Sequence, residues 1–296
     1  MNKIIQSVPN FSEGRDLQKI EQIVDVFRAR ENIKLLNYSS DRDHNRMVVT
    51  IVGEPEAVKN AVIEAIGKAV ELLDLKTHSG EHPRVGVADV VPFVPIKNVT
   101  MEETIALSKE IGKIIAEKYN LPVFLYEKSA SASHRENLAN IRRGGFEGLS
   151  EKMKLSEWQP DFGADKPHPT AGICVVGARI PLIAYNINLN TNNIEIANAI
   201  AKKIRFSNGG LRHCKAIGVN LKEKGIVQVS TNLTDYTQTP MHQVFELVKI
   251  EAKRCGTTIA ESEIIGLVPL EAVVDTVSYY LGIENFDKKR IIETNI

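Results

Sequence analysis

The residues of this chain best suited to chemistry lie in one stretch, residues 76–95, KTHSGEHPRVGVADVVPFVP. It carries His78 and His82, with Glu81 and Arg84 beside them. Histidine titrates near neutral pH without help from its surroundings, so either ring suits general acid–base work. Gly80, Pro83 and Gly86 interrupt regular structure around those side chains. Residues 85–94 are then apolar at nearly every position and read as a buried strand. The pattern is a polar, kinked loop held against a core strand, the usual way in which reactive groups are placed. Asp89 interrupts that strand, and a buried acid needs a partner or a task.

The run His78-Ser79-Gly80-Glu81-His82 also matches H-x-x-E-H, a zinc-hydrolase signature. That chemistry needs both histidines one helical turn apart on one face. Gly80 inside the turn and Pro83 directly after it oppose a helix there. The expectation is therefore no metal site.

The chain has 296 residues, enough for one large domain or two of ordinary size. Its 37 basic residues balance 37 acidic ones, which disfavours a general nucleic-acid or membrane-surface binder. Cys174, Cys214 and Cys255 are scattered, form no CxxC pair, and fit free thiols in a reducing compartment. Neither a signal peptide nor a membrane span is legible. A soluble cytoplasmic protein is expected.

The elements that must position the loop recur in one order. Residues 4–8 read as a strand, and 9–14 as a loop. Asp16 can cap a helix carrying Leu17, Ile20, Ile23, Val24 and Phe27 at helical spacing. Residues 33–38 and 47–52 read as strands around a polar loop, 39–46. Pro55 opens a long apolar-striped helix, and the strand at 85–94 closes the set. This is β-α-β-β-α-β. A helix at 101–119, a strand at 122–126, a polar region at 129–155 and an ordered loop at 158–172 follow. From residue 180 the same six elements appear again. Two ferredoxin-like βαββαβ subdomains, 1–180 and 181–296, are expected within an α/β (α+β) fold. Each four-stranded mixed sheet would carry its helices on the outside. The bare apolar faces would then meet and leave a ligand cleft.

VPNFSEGRD, GEHPRVGVADVVPFVP, WQPDFG, LIAYNINL, VQVSTNLTDY and EIIGLVPLEAV resemble the formiminotransferase family over nearly the whole chain. The resemblance implies transfer of a formimino group from N-formimino-L-glutamate to tetrahydrofolate, giving 5-formiminotetrahydrofolate and L-glutamate in histidine breakdown. It implies a homodimer with tetrahydrofolate as co-substrate and no metal. The cyclodeaminase domain fused to some members is expected to be absent. An enzyme acting on 5-formyltetrahydrofolate is the alternative within the same chemistry.

The family's catalytic histidine falls on His82. Its folate-binding segment falls on Gly163, Ala164, Asp165, Lys166, Pro167, His168, Pro169, Thr170, Ala171 and Gly172. Ala164 stands where the family often has proline. The donor carries two carboxylates, which call for arginine or lysine. Arg46 and Arg84 are the candidates, with Asn45 beside Arg46 and Asp89 also placed among the substrate-binding residues, and Glu81, Asp89 and Asp41 are candidates to stabilise the formimino cation. Trp158 and Phe162 could form apolar walls for a flat ring.

Overall fold

The structure is a computed structural model that describes residues 3–42, 44–80, 83–221 and 224–295. His82 and Glu81 lie outside the described residues, as do Asp43, Lys222 and Glu223. The chain divides into two units, Met1–Arg179 and Ile180–Ile296.

The first unit runs β1 (Ile4–Ser7), β2 (Asn10–Phe11), α1 (Leu17–Asp25), β3 (Ile33–Asp41), β4 (Arg46–Gly53), α2 (Pro55–Leu72) and β5 (Ala88–Lys97). It continues with α3 (Met101–Tyr119), β6 (Val123–Leu125), α4 (Ser133–Glu136), α5 (Leu138–Arg142), α6 (Leu149–Lys152) and β7 (Cys174–Ala178). Strands β1 and β2 follow one another along the gap between β4 and β5, antiparallel to both. The sheet reads β3, β4, β1 with β2, β5, β7, β6, and the last three strands are parallel.

Local chemistry explains the helix starts. Asp16 accepts the N–H groups of Gln18 and Lys19 at 3.0 and 3.2 Å, capping α1. Thr100 and Glu103 exchange side-chain and backbone bonds in a capping box at α3. Helices α1, α2 and α3 lay Ile23, Ile66 and Ile111 on one sheet face, against Ile51, Val91 and Val176. All six are fully buried.

Two expectations for this sheet fail. It has seven strands, not four, because β2 continues the line of β1 and because β7 and β6 extend the sheet beyond β5. CVVGA is only five residues long and buried at every position, so it shows no alternation. Nor is the opposite face bare. Val90, Phe124 and Val175 on that face are covered by Ile141, Leu149 and Met153. Helices α4 to α6 have four or five residues each, too short to form alone. Each of those buried side chains is worth roughly 1.5–3 kcal/mol, which is what pins them.

The second unit repeats the β-α-β-β-α-β order with β8 (Ile183–Leu189), α7 (Ile194–Ile204), β9 (Cys214–Leu221), β10 (Ile226–Leu233), α8 (Met241–Arg254) and β11 (Ile259–Ile265), followed by α9 (Leu270–Leu281). Its sheet reads β11, β8, β10, β9. The last strand lies beside the first and the first beside the third, as in the first unit. Helices α7 and α8 bury Ile200 and Val244 against Ile187 and Val229. Strand β8 alternates. Tyr185, Ile187 and Leu189 enter the core, while the alternate residues Asn186 and Asn188 face away from it. Among the described residues no helix is long and apolar enough to cross a membrane.

Candidate active site

Four segments distant in sequence converge on the loop that precedes β5. The first is the stretch after β2. Ser12 donates from its backbone N–H to the Val87 carbonyl at 2.9 Å and from Oγ to the Gly86 carbonyl at 2.8 Å. Glu13 turns its carboxylate inward, where Oε1 accepts the N–H groups of Arg15 and Asp16 at 2.8 and 2.9 Å. Gly14 then passes so close to the β3–β4 turn that a Cβ would lie 2.1 Å from the Asp41 carbonyl oxygen. Only glycine fits there.

The second segment is that turn. Strand β3 runs on through Ser39, Ser40 and Asp41, so the predicted polar loop shrinks to the residues between Asp41 and Arg46. Asn45 sits at its tip in a left-handed conformation, φ +49°, which asparagine tolerates. Its Oδ1 accepts the Gly14 N–H at 2.9 Å, and its Nδ2 donates to the Ser79 carbonyl at 3.0 Å. Its own carbonyl accepts Nε2–H of His78 at 2.8 Å. One residue thus ties three segments together.

That bond fixes His78. A carbonyl can only accept, so Nε2 carries the proton and Nδ1 is left as a buried lone pair with no partner among the described residues. Burial pushes the His78 pKa down, the Asn45 carbonyl opposes this, and Arg84 lowers it further. The ring is held neutral. His78, Ser79 and Gly80 have no helical backbone, so the geometry a helical zinc motif needs is missing at that end.

The third segment lies across the sheet in and after α5. Arg84 donates to the His78 carbonyl at 2.9 Å and pairs with Glu147 at 2.9 Å. Asp89 is 2% exposed. It accepts the Val85 N–H at 2.8 Å and pairs with Arg142 at 2.5 Å. Arg46 is half-buried beside them and donates to Asn10 Oδ1. Burial, then the nearby Arg142, push its pKa down to about 10, with Asp89 opposing. Sequence reading missed Arg142 and Glu147. The signal available was the acid in an apolar strand, which required a cation from elsewhere.

The fourth segment is 163–172. Its first part, Gly163 to Lys166, is exposed, and Pro167 and His168 are half-buried. Its end is stitched to the loop before β5. Leu75 donates to the Thr170 carbonyl at 2.9 Å, Val87 to the Ala171 carbonyl at 3.0 Å, and Ile173 to the Val85 carbonyl at 2.9 Å. His168 and Gly172 exchange two backbone bonds, and His168 Nδ1 accepts the Ala171 N–H at 3.0 Å. Gly172, at φ +70°, would place a Cβ 2.2 Å from the Val85 carbonyl oxygen. Pro169 is exposed at the tip. Upstream, Asp161 pairs with Arg135 at 3.1 Å, both nearly buried, and accepts the Leu125 N–H at 2.7 Å. The expected aromatic wall is absent. Phe162 packs into the core under α3, whereas Trp158 packs on the other sheet face with the Lys152 ammonium 3.9 Å from its ring centre.

The structure therefore brings Asn45, Arg46, Arg84, Asp89 and residues 170–172 to the described chain on either side of positions 81 and 82. Arg84 and Asp89 already have protein partners there.

Family models for the formiminotransferase domain match in two parts, the N-terminal subdomain over residues 4–179 and the following subdomain over 184–295. Glutamate formimidoyltransferase of Streptococcus pyogenes serotype M1 is 46% identical over 297 residues, covering 100% of this chain and 99% of that one. The Thermoplasma acidophilum protein of the same name is 43% identical, covering 98% and 96%. Formimidoyltransferase-cyclodeaminase of Mus musculus is 40% identical, and the chain spans 53% of its length.

Proposed function

Since the chain belongs to the formiminotransferase family and is a transferase, we propose that it moves the formimino group of N-formimino-L-glutamate to tetrahydrofolate and releases L-glutamate. The observation that supports this reading is the convergence of four anchored segments on the loop before β5, which holds His82. Tetrahydrofolate supplies the attacking nitrogen. The chain must take a proton from that nitrogen and deliver one to the leaving nitrogen of glutamate. His82 does both, because a group titrating near neutral pH is competent in each direction.

The surroundings divide the remaining work. His78 is held in place by the Asn45 carbonyl while burial lowers its pKa, so it positions the loop rather than shuttling protons. Asp89 and Arg84 hold the two ends of the loop through Arg142 and Glu147. Arg46 brings positive charge to the donor's carboxylates, and Asn45 fixes the turn from which it extends. The exposed part of 163–172 fits a folate in one respect that its backbone shows. Gly163, at φ +94°, and Gly172 hold a chain reversal open to solvent while the segment's end stays bonded to the catalytic loop. Its backbone N–H and C=O groups would meet the polar ring there.

The test is turnover with formiminoglutamate and tetrahydrofolate, read as methenyl-folate after acid treatment, with 5-formyltetrahydrofolate and glutamate as the competing pair, read as release of tetrahydrofolate and N-formylglutamate. Turnover with the second pair alone would replace the donor in this reading. In His82→Ala the rate is expected to fall by ~100-fold or more, the usual share of acid–base catalysis. Folate affinity should stay within a few-fold. A variant retaining more than about a tenth of the rate removes His82 from that role.

A further inference from the structure

The reaction proposed above moves a cation. The bond from the formimino carbon to the folate nitrogen forms, and the bond to the glutamate nitrogen breaks. The proton lost by the first nitrogen ends on the second, so the amidinium charge starts and ends on the transferred group. A buried cation needs a carboxylate. Three of the described carboxylates at the loop are already engaged. Asp89 spends Oδ1 on the Val85 N–H and Oδ2 on Arg142. Glu147 pairs with Arg84. Asp41 accepts the His44 N–H at 2.7 Å, lies 3.0 Å from the His44 ring nitrogen and is exposed.

Glu13 stands apart. It is 8% exposed, in the turn between β2 and α1. Its neighbours in sequence anchor it to the segments that flank the loop, Ser12 to Gly86 and Val87, and Gly14 to Asn45. The carboxylate is close enough to His78 for its charge to oppose the effect of burial on that ring. Oε1 is occupied by the N–H groups of Arg15 and Asp16. Oε2 accepts no hydrogen bond from the described residues and is not sealed off from solvent. No lysine or arginine among the described residues pairs with Glu13. Arg15, two positions on, gives its Nε–H to the Arg42 carbonyl at 2.8 Å and stays exposed. A carboxylate so deeply placed without a cation is unfavourable until a ligand supplies one. An amidinium does so with N–H groups and charge together.

We propose that Glu13 is a catalytic residue whose Oε2 pairs with the amidinium of the formimino group, holding its charge beside position 82 during transfer. The assignment rests on the function proposed above.

Equilibrium binding to the full chain tests it with two ligands, N-formimino-L-glutamate and N-formyl-L-glutamate. Both carry the same carboxylates, and the second has a neutral oxygen in place of the imino nitrogen. Each is titrated into the unaltered protein and into Glu13→Gln. Glutamine keeps the shape and an oxygen for the Arg15 and Asp16 N–H groups, and sets an amide N–H where Oε2 stood. The unaltered protein is expected to prefer the cationic ligand. Glu13→Gln is expected to weaken binding of that ligand about tenfold or more, the usual worth of a hydrogen bond to a charged group. Its affinities for N-formylglutamate and tetrahydrofolate should not change. An equal loss for both glutamate ligands overturns the proposal, because it marks a purely structural turn. So does an affinity for N-formiminoglutamate within about twofold of the unaltered protein. Should Glu13→Gln fail to fold, Glu13→Asp replaces it, since drawing the charge back by one methylene is expected to give the same selective loss. Failure of the unaltered protein to bind N-formiminoglutamate at all sinks the proposed function itself, a result distinct from a loss confined to the variant.

Discussion

The two sheets share the strand order of their β-α-β-β-α-β part and differ in the polar groups set beside it. In the first, two buried charges are paired with residues of the short helices, Asp89 with Arg142 and Asp161 with Arg135. In the second, the sheet face opposite α7 and α8 buries neutral amides, Asn186, Asn188 and Gln228, bonded to each other and to exposed carboxylates. The charged pairs brace segments that would otherwise have little to hold them: the loop before β5 and the chain leading to Gly163. The amides leave their sheet face intact and polar. A repeated topology therefore carries no repeated chemistry, because the strand order depends on the core-facing residues while the other face is free to differ.

This contrast can be broken in steps of decreasing size. Asp89→Ala strands Arg142 and the Val85 N–H in a buried place. Breaking one side of a buried pair costs about 3–5 kcal/mol. Urea denaturation of the whole chain should show it as a lower midpoint, together with loss of turnover as the loop before β5 loosens. An unchanged midpoint would mean that Asp89 is not a brace.

The amide network should respond more weakly. Asn188→Leu leaves one buried N–H of Gln228 without an acceptor, worth about 1–3 kcal/mol. Replacing both residues, Asn188→Leu with Gln228→Leu, removes the need as well as the partner. The pair is then expected to cost less than Asn188→Leu alone. Strictly additive losses in the same denaturation series would show that the amides act separately.

The smallest effect concerns pH. The folded-state pKa of His78 is lowered from 6.5, chiefly by burial. Between that lowered value and about 6.5 the unfolded chain binds more protons than the folded one, so stability rises with pH. His78 thus contributes nothing unfavourable above pH 6.5 and destabilises the fold as pH falls through the window beneath it. Glutamine keeps a donor for the Asn45 carbonyl and does not titrate. His78→Gln should therefore flatten part of the stability loss between pH 6.5 and 5, and leave stability at pH 8 nearly unchanged. An identical slope in both proteins would show that His78 is not buried neutral.

Much of this was legible from the chain alone. Pro55 and an apolar stripe defined α2, and the helix at 101–119 was legible as a range, whereas the Thr100 capping box that starts it was not read. Alternating strands around glycine-bounded turns defined the second hairpin. The importance of residues 76–95 followed from residue type, since few other places combine histidines with helix breakers and a buried strand.

What tertiary structure decided was whatever depended on residues distant in sequence. Strand β7 is recognisable only because β5 and β6 leave a gap for it. Arg142 matters because folding over the sheet brings it to Asp89, 53 residues away. Asn45 holds three segments because a left-handed turn points its carbonyl and its amide in different directions. Short helices such as α5 carry no periodic signal, since their stability comes from the surface they cover rather than from their own sequence. Local propensity and pattern act within a few residues, and the chain states them outright. Partners for buried charges and amides are chosen by topology, so only the folded molecule names them.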